Sequence, residues 1–113
     1  MAGPFEGGMI QFSAGQNALV FERVLQRMRE KVRNHQFVMT VHAWEEMESD
    51  GLSVFDVESA ILSGRITERQ LDRPWGERKY VVRGRPLEGY DSLVVVAKLG
   101  PTGRLVILTV YVG

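Results

Sequence analysis

Two apolar runs lie near the end of the chain: Leu93-Val94-Val95-Val96-Ala97-Lys98-Leu99 and Leu105-Val106-Ile107-Leu108-Thr109-Val110-Tyr111-Val112, with only Gly100-Pro101-Thr102-Gly103 between them. Valine and isoleucine dominate both runs, and their two heavy atoms on Cβ suit a strand better than a helix. Glycine and proline in the linker favour a tight reversal. The stretch therefore predicts a β-hairpin. Because neither run alternates cleanly with polar residues, both strands are expected to be central and covered on at least one face.

Three segments before the hairpin have the apolar spacing of amphipathic helices. In the first, residues 16–34, apolar residues recur every three or four positions: Phe21, Val24, Leu25, Met28 and Val32. A second helix is predicted over residues 41–50, capped by Thr40 and ended by Gly51. A third follows Ser53, which forms a capping-box pattern with Asp56, and closes at Gly64. The apolar faces of these helices need a partner, and the hairpin is the large apolar surface available.

Shorter stretches complete the predicted sheet. Residues 36–39 could form a first edge strand, residues 65–71 form a charged edge strand, and residues 78–83 form an alternating strand. Loops are predicted over residues 72–77 and 84–91. The first loop contains Trp75, which could stack on a base or insert into a partner, or could simply anchor the loop.

Alternation predicts which strand residues face away from the helices. If Tyr80 and Val82 meet the helices, Lys79 and Arg83 stand on the opposite, open face. In the last strand one alternating set is wholly apolar, namely Val106, Leu108, Val110 and Val112. The other set ends in polar residues and consists of Leu105, Ile107, Thr109 and Tyr111. Thr109 and Tyr111 are therefore expected on the open face with Lys79 and Arg83.

The length predicts one domain, and the predicted helices and strands make its class α+β. We expect residues 1–15 to be a flexible N-terminal arm and residues 16–113 to fold around a single core. The expected architecture has N-terminal helices packed on one face of a mainly antiparallel, twisted sheet of about four strands. Cysteine is absent, which excludes disulfides and cysteine-ligated zinc. No signal peptide or apolar run of about 20 residues is visible, so a cytoplasmic protein without membrane contact is expected.

Charge is uneven along the chain, although the formal net charge is zero. Residues 45–58 contain six carboxylates and no Lys or Arg, whereas residues 65–85 are dominated by Arg and Lys. The first predicted helix is also basic on its far side. Such basic surfaces could face phosphates or an acidic protein. The alternative is an ordinary solvated surface that keeps edge strands from pairing with neighbours.

Several segments resemble, in order, a small bacterial family of unknown function. They are Thr40-Val41-His42-Ala43; Gly51-Leu52-Ser53 with Asp56-Val57 and Ala60-Ile61; Gly64 with Ile66 and Glu68; Leu93-Val94-Val95-Val96; and Thr109-Val110-Tyr111. Family members typically show a Ser/Thr-x-His-Ala start, a Gly-Ile/Leu-Ser-x-x-Asp-Val helix junction and a closing Val/Ile-Thr-Val-Tyr strand. They also commonly carry an Arg shortly after the His-Ala pair, where this chain has Trp44-Glu45-Glu46-Met47. The resemblance covers about residues 37–111 and implies a RelE/ParE-like toxin fold, within a group that includes barnase-type and colicin-type ribonucleases.

The resemblance implies one of two functions. The first is a toxin that cleaves RNA without a metal or another cofactor, acts on free RNA or on the ribosome, and is neutralised by an antitoxin protein. The second is a non-catalytic member of the same fold that binds protein or RNA. Self-association of two copies through an edge strand is compatible with both.

Metal-independent RNA cleavage needs a base for the ribose 2′-hydroxyl, cations around the phosphate and an acid for the leaving oxygen. The predicted catalytic residues are His42 as the base, Arg83 as a cation, and Tyr111 as a proton donor or a ring that stacks on a base. The predicted phosphate-binding residues are Arg78, Lys79, Arg85 and Thr109, and no metal ligands are expected. The structural alternatives are that His42 serves helix–sheet packing and that Tyr111 is an ordinary strand aromatic.

Overall fold

The computed structural model describes residues 9–72 and 76–113 of the chain. Over these residues the fold is α+β, with three helices and one mixed sheet of five strands. The elements in chain order are α1 (Met9–Arg33), β1 (Phe37–Met39), α2 (Val41–Ser49), α3 (Val54–Ser63), β2 (Arg65–Asp72), β3 (Glu77–Gly84), β4 (Leu93–Leu99) and β5 (Leu105–Val112). The predicted fold class is confirmed, with one strand more than the expected four.

The β4–β5 hairpin is central in the sheet, as its sequence predicts. The strand order is β1-β5-β4-β3-β2, in which β1 runs parallel to β5 and all other neighbours are antiparallel. One face of the sheet packs against the helices. Its buried core residues are Ile66, Tyr80, Val82, Leu93, Val95, Ala97, Leu105, Ile107 and Val110. Residues that alternate with these lie on the opposite side, which we call the open face.

A β-bulge in β5 changes the expected alternation. Val96 is opposite Thr109, but the next residue of β4 is opposite Ile107, so Leu108 is the extra residue. Leu105 and Ile107 consequently face the core and are fully buried. Strict alternation predicts that Leu105 and Ile107 share a face of the sheet with Thr109 and Tyr111. That prediction is wrong, because the extra residue of the bulge reverses the side on which the preceding side chains lie. Thr109 and Tyr111 themselves do lie on the open face, together with Lys79 and Arg83.

Helix α1 is longer than the sequence pattern predicts. It begins at Met9, seven residues before the expected start, so residues 9–15 of the predicted flexible arm are helical. No proline interrupts these residues, and the single glycine, Gly15, costs a helix only about 1 kcal/mol relative to alanine. The rest of the arm, residues 1–8, and the loop residue Trp75 lie outside the described residues. None of the helices in the described part has the length and apolar character needed to cross a membrane.

An arginine of α1 holds the end of α3. Arg29 donates from Nε to the Ile61 carbonyl oxygen at 3.3 Å and from Nη2 to the Gly64 carbonyl oxygen at 2.7 Å. The last carbonyls of a helix have no partner within that helix, so these bonds satisfy groups that would otherwise need water. Arg29 therefore fixes the α3–β2 junction and is not simply part of a solvated basic surface.

Candidate functional site

Three arginines line an open cleft at one end of the sheet, where α3 ends, β2 begins and β3 ends. The cleft has a volume of about 310 Å³. Arg65, Arg83 and Arg85 line it, together with Ser63 and Ser92. Asp91 is the acidic residue among those that line the cleft. We call this the arginine cleft, and its excess of positive side chains favours an anionic ligand.

Two glycines allow α3 to lie directly against the end of β3. A Cβ atom at Gly84 would overlap the carbonyl oxygen of Ala60 and come within 2.7 Å of its carbonyl carbon. A Cβ atom at Gly64 would come within 2.6 Å of the Arg83 carbonyl oxygen. Only a residue without Cβ fits these positions. The close packing brings Arg65, which follows Gly64, beside Arg83, which precedes Gly84.

Arg65 and Arg83 are directly opposite each other in the antiparallel β2–β3 pair, and both are exposed. The Cβ atoms of opposite residues lie about 4.5–5.5 Å apart, and like charges in that arrangement destabilise a sheet. Arg85 follows Arg83 by two residues, so an extended chain carries it on the same side. An anion between these side chains would offset the repulsion and accept hydrogen bonds from more than one guanidinium group.

Hydrogen bonds to and from serine side chains hold the walls of the cleft. Ser63 Oγ accepts from the Arg85 backbone N–H at 3.0 Å and donates to the Ser59 carbonyl oxygen at 2.7 Å. Arg83 donates from Nη1 to Ser92 Oγ at 3.2 Å. Within residues 9–72 and 76–113, the guanidinium groups of Arg65 and Arg85 form no hydrogen bond or ion pair. Both groups are therefore available to a ligand.

Asp56 ties the loop that carries Arg85 to the start of α3. Its Oδ1 accepts from the Leu87 N–H at 2.9 Å, and its Oδ2 accepts from the N–H and Oγ of Ser53 at 2.9 and 3.2 Å. Burial alone raises the pKa of Asp56, but these bonds and one from the Glu88 N–H outweigh burial and hold the pKa below its ordinary value. The predicted capping box is confirmed, and its carboxylate also positions the loop between β3 and β4.

On the open face, the arginine pair continues into a row of side chains across four strands. Arg65 is opposite Arg83, Arg83 is opposite Val94, and Val94 is opposite Tyr111. Val94 is only 1% exposed, whereas Tyr111 is 44% exposed. Neighbouring strands lie about 4.8 Å apart, so the backbones of Arg83 and Tyr111 are about 10 Å apart. The row thus brings Arg83 and Tyr111 to one surface.

His42 lies on α2, which covers the free edge of β5. Strand β1 pairs only with residues 105–107 of β5. Beyond them, Thr40 Oγ1 donates to the Leu108 carbonyl oxygen at 3.3 Å, and Glu46 Oε1 accepts from the Val110 N–H at 3.0 Å. Thr40 also caps α2, as predicted, by accepting from the Ala43 N–H. Thr40 and α2 therefore replace the missing strand partner of β5.

The His42 side chain itself is 67% exposed, and its Nε2 is 3.3 Å from Glu46 Oε1. This exposure does not fit the alternative that His42 serves packing between helix and sheet. Arg83 lies on the other side of β5 and β4, at least two strand spacings away, so His42 and Arg83 do not meet. Within the described part of the chain, no group of three or more His, Asp or Glu side chains could hold a metal ion.

The four predicted phosphate-binding residues are dispersed over the sheet. Arg85 lines the arginine cleft. Lys79 is on the open face of β3, four residues from Arg83, which corresponds to about 13 Å along a strand. Thr109 is half-buried opposite Val96, and Arg78 is exposed on the side of the sheet that carries Tyr80. Of these four, Arg85 is the one that joins Arg83.

Two residues of the site were not predicted. Arg65 stands out in the sequence only as a charge on an edge strand. Its pairing with Arg83 depends on a second bulge, at Thr67, that no local pattern indicates. Glu46 had a usable signal, because it follows His42 by four residues, the spacing of neighbours on one helix face.

Residues 39–112 match a family model described as a domain of unknown function, DUF4258. The match takes in 74 of the 113 residues and includes α2, α3 and strands β2 to β5, and therefore both the arginine cleft and His42. No curated protein and no solved structure matches the chain.

Proposed function

This chain belongs to the DUF4258 family, and we propose that it binds RNA by holding backbone phosphates in the arginine cleft. The observation that carries the proposal is the direct opposition of Arg65 and Arg83, with Arg85 beside them. Arginine presents a planar fork of N–H donors that matches the oxygen atoms of a phosphate. A pair of like charges that destabilises the free sheet becomes favourable once a phosphate lies between them.

The row that leads from the cleft to Tyr111 favours a single-stranded nucleic acid. Proteins that bind single strands combine a positive groove along the backbone with aromatic rings on which bases stack. Tyr111 is exposed in the same row as Arg83, about two strand spacings away. A strand held by its phosphate at the arginines could therefore place a base over the tyrosine ring. RNA recognition of this kind commonly targets unpaired, splayed bases.

The test is binding of a fluorescently labelled single-stranded RNA, measured by anisotropy at several salt concentrations. The informative variant is Arg65→Ala with Arg85→Ala, and the matched control is Arg33→Ala with Arg104→Ala. The control pair is exposed, lies outside the cleft and changes the net charge equally. Each phosphate contact on a single strand contributes about −0.7 to the slope of log K against log salt, so the cleft variant should flatten the slope by about 1.4.

The cleft variant should also weaken binding at least about tenfold, because a hydrogen bond between charged groups contributes about 1.5–3 kcal/mol. The control variant should keep nearly the affinity and slope of the wild type. Equal weakening by both variants would mean that RNA responds only to overall charge, and the proposal would be wrong. Binding of an acidic polypeptide in preference to RNA would favour a protein partner instead.

A second candidate function is metal-independent cleavage of RNA, with His42 as the base. Two observations support this candidate. The His42 side chain is exposed, and its Nε2 lies 3.3 Å from Glu46 Oε1. The same Glu46 oxygen accepts a hydrogen bond from the Val110 N–H, which fixes its position. A histidine oriented by a carboxylate is a common general base. Tyr111, next to Val110 in β5, is on the same side of the sheet as the arginine row. In this case an antitoxin protein would be the natural partner, and the RNA could be free or ribosome-bound.

Cleavage is tested by incubating folded protein with mixed RNA in the presence of a chelator, beside a His42→Ala variant of equal thermal stability. RNA fragments from the wild type and none from the variant would support this candidate. Expression of the protein should then also arrest growth. Intact RNA with both proteins, on free RNA and on ribosomes, would count against cleavage and leave RNA binding as the function.

A further inference from the structure

An open groove with an apolar floor lies on the outer side of α3, next to the arginine cleft. Its volume is about 420 Å³, and its lining includes Phe55, Leu62 and Leu87. These side chains are 63%, 38% and 67% exposed, respectively. Glu58 also lines the groove, one helical turn after Phe55. Contiguous exposed apolar side chains with a polar rim are typical of protein–protein contacts.

Helix α1 of the same chain carries an exposed stripe of apolar and positive side chains, which is complementary to the apolar groove and to Glu58. The 25 residues of α1 span about 37 Å, which exceeds two of the three dimensions of the molecule, 54 × 31 × 24 Å. The radius of gyration is 15.7 Å, against about 13 Å for a compact domain of this length, so the molecule is elongated. Among the described side chains, those of α1 that pack in the core begin at Phe21.

Just before this packed part, Leu19 and Val20 are 56% and 41% exposed. Arg23 and Arg27 follow Leu19 by four and eight residues, lie on the same side of the helix, and are both exposed. This stripe therefore presents apolar side chains followed by positive ones. The exposure of Leu19 and Val20 also means that the stripe does not fill the groove of its own chain.

We propose that two copies of this chain associate by exchanging these elements, with the α1 stripe of each copy lying in the α3 groove of the other. Leu19 and Val20 would cover the apolar floor, and Arg23 would lie beside Glu58. The spacing fits an antiparallel crossing of the two helices. Leu19 and Arg23 are four residues apart, about 6 Å along a helix, and Leu62 and Glu58 have the same separation in the opposite direction.

A two-fold arrangement makes the contact twice and closes the assembly at a dimer. Opposite charge specifies the register, because Arg23 meets Glu58 only in one alignment of the helices. This inference is independent of RNA binding, since neither Arg23 nor Glu58 belongs to the arginine cleft. It also differs from association through an edge strand, because it uses the helical side of the molecule.

The test is sedimentation equilibrium of the full chain with two charge reversals, Arg23→Glu and Glu58→Arg. Each variant alone places like charges at both contacts, so each should dissociate at least about tenfold more readily than the wild-type dimer. An equal mixture of the two variants restores opposite charges at both contacts and should form a heterodimer. Arg33→Glu is the matched control, and it should remain dimeric. Circular dichroism of each variant checks that the fold is unchanged.

Three results would overturn the inference. The first is a wild-type chain that stays monomeric at every concentration. The second is a dimer that neither reversal weakens. The third is a mixture of the two variants that remains monomeric, because the Arg23–Glu58 contact between copies must then be absent.

Leu62→Ser provides an uncharged check of the groove, and a dimer as tight as the wild type would contradict the proposed packing of Leu19.

Discussion

Replacement of Asp56 by Asn tests how the loop between β3 and β4 is held. The wild-type carboxylate accepts from Leu87 through one oxygen and from Ser53 through the other. Asn has the same shape but only one acceptor oxygen. If that oxygen stays on Ser53, the amide NH₂ group faces the Leu87 N–H, and two donors oppose each other. The loop that carries Arg85 and Leu87 then loses its tie to α3, while the cap of the helix is kept.

The expected loss follows from the bonds of this carboxylate. A hydrogen bond to a charged group contributes about 1.5–3 kcal/mol, so losing one and weakening the others should lower the free energy of unfolding by about 2–3 kcal/mol at neutral pH. For a domain of this size the melting temperature should fall by about 8–13 °C. Asp56 is only 9% exposed, so solvent screens these bonds little.

The loss should depend on pH in a defined direction. The pKa of Asp56 in the folded protein lies below its ordinary value, which is about 3.9 for an unfolded chain. Its contribution to stability is therefore complete above that value and disappears as the pH falls through the folded pKa. The difference between wild type and variant should shrink on acidification, because the wild-type carboxyl then also becomes neutral.

Urea unfolding followed by circular dichroism measures both effects, at neutral pH and again below a pH of about 3. Glu45→Gln is the control, since Glu45 is exposed and the substitution changes the charge equally. A loss below about 0.5 kcal/mol at neutral pH, the size of an ordinary surface effect, would mean that these hydrogen bonds do not hold the loop. An equal loss at both pH values would refute the assignment to an ionised carboxylate.

Three further substitutions test other contacts. Gly84→Ala should destabilise the fold by more than about 3 kcal/mol or prevent folding, because the added methyl group overlaps the Ala60 carbonyl; a wild-type thermal melt would contradict this. Glu46→Ala should cost about 1–3 kcal/mol in urea unfolding because the Val110 N–H loses its acceptor, and an unchanged midpoint would argue against that role. His42→Ala should change the same quantity by less than about 0.5 kcal/mol, and a larger loss would make His42 a structural residue.

The elements of the fold could be predicted because local signals agreed with one another. Strands β4 and β5 begin and end at the residues that bound the two apolar runs. Thr40 and Ser53 immediately precede the first residues of α2 and α3. The sequence pattern does not indicate that α1 begins at Met9, because a single glycine resembles an end signal, whereas a helix tolerates it at modest cost. The alternation of β5 does not indicate that Leu105 faces the core, because a bulge has no local signature in this strand.

The candidate site was predicted less completely, because it depends on register and not on local pattern. Arg83 and Tyr111 were placed on the open face by alternation alone, and the structure agrees. The partner of Arg83 is Arg65, and that pairing follows from the bulge in β2, which shifts the two strands relative to each other. The chemistry of metal-independent RNA cleavage predicts that His42 and Arg83 act together, but the structure keeps them apart. The sequence predicts β4 and β5 themselves, but it does not predict that both strands lie between His42 and Arg83.

The proposed function requires RNA phosphates to bind in the arginine cleft. Titration of the ¹⁵N-labelled protein with single-stranded RNA, observed through the arginine Nε–H resonances in NMR spectra, tests it most directly. We expect the signals of Arg65, Arg83 and Arg85 to shift together. The signals of Arg33 and Arg104, which are exposed elsewhere on the surface, should stay in place. Shifts at Arg33 and Arg104 with none in the cleft, or no shift at any arginine, would contradict it.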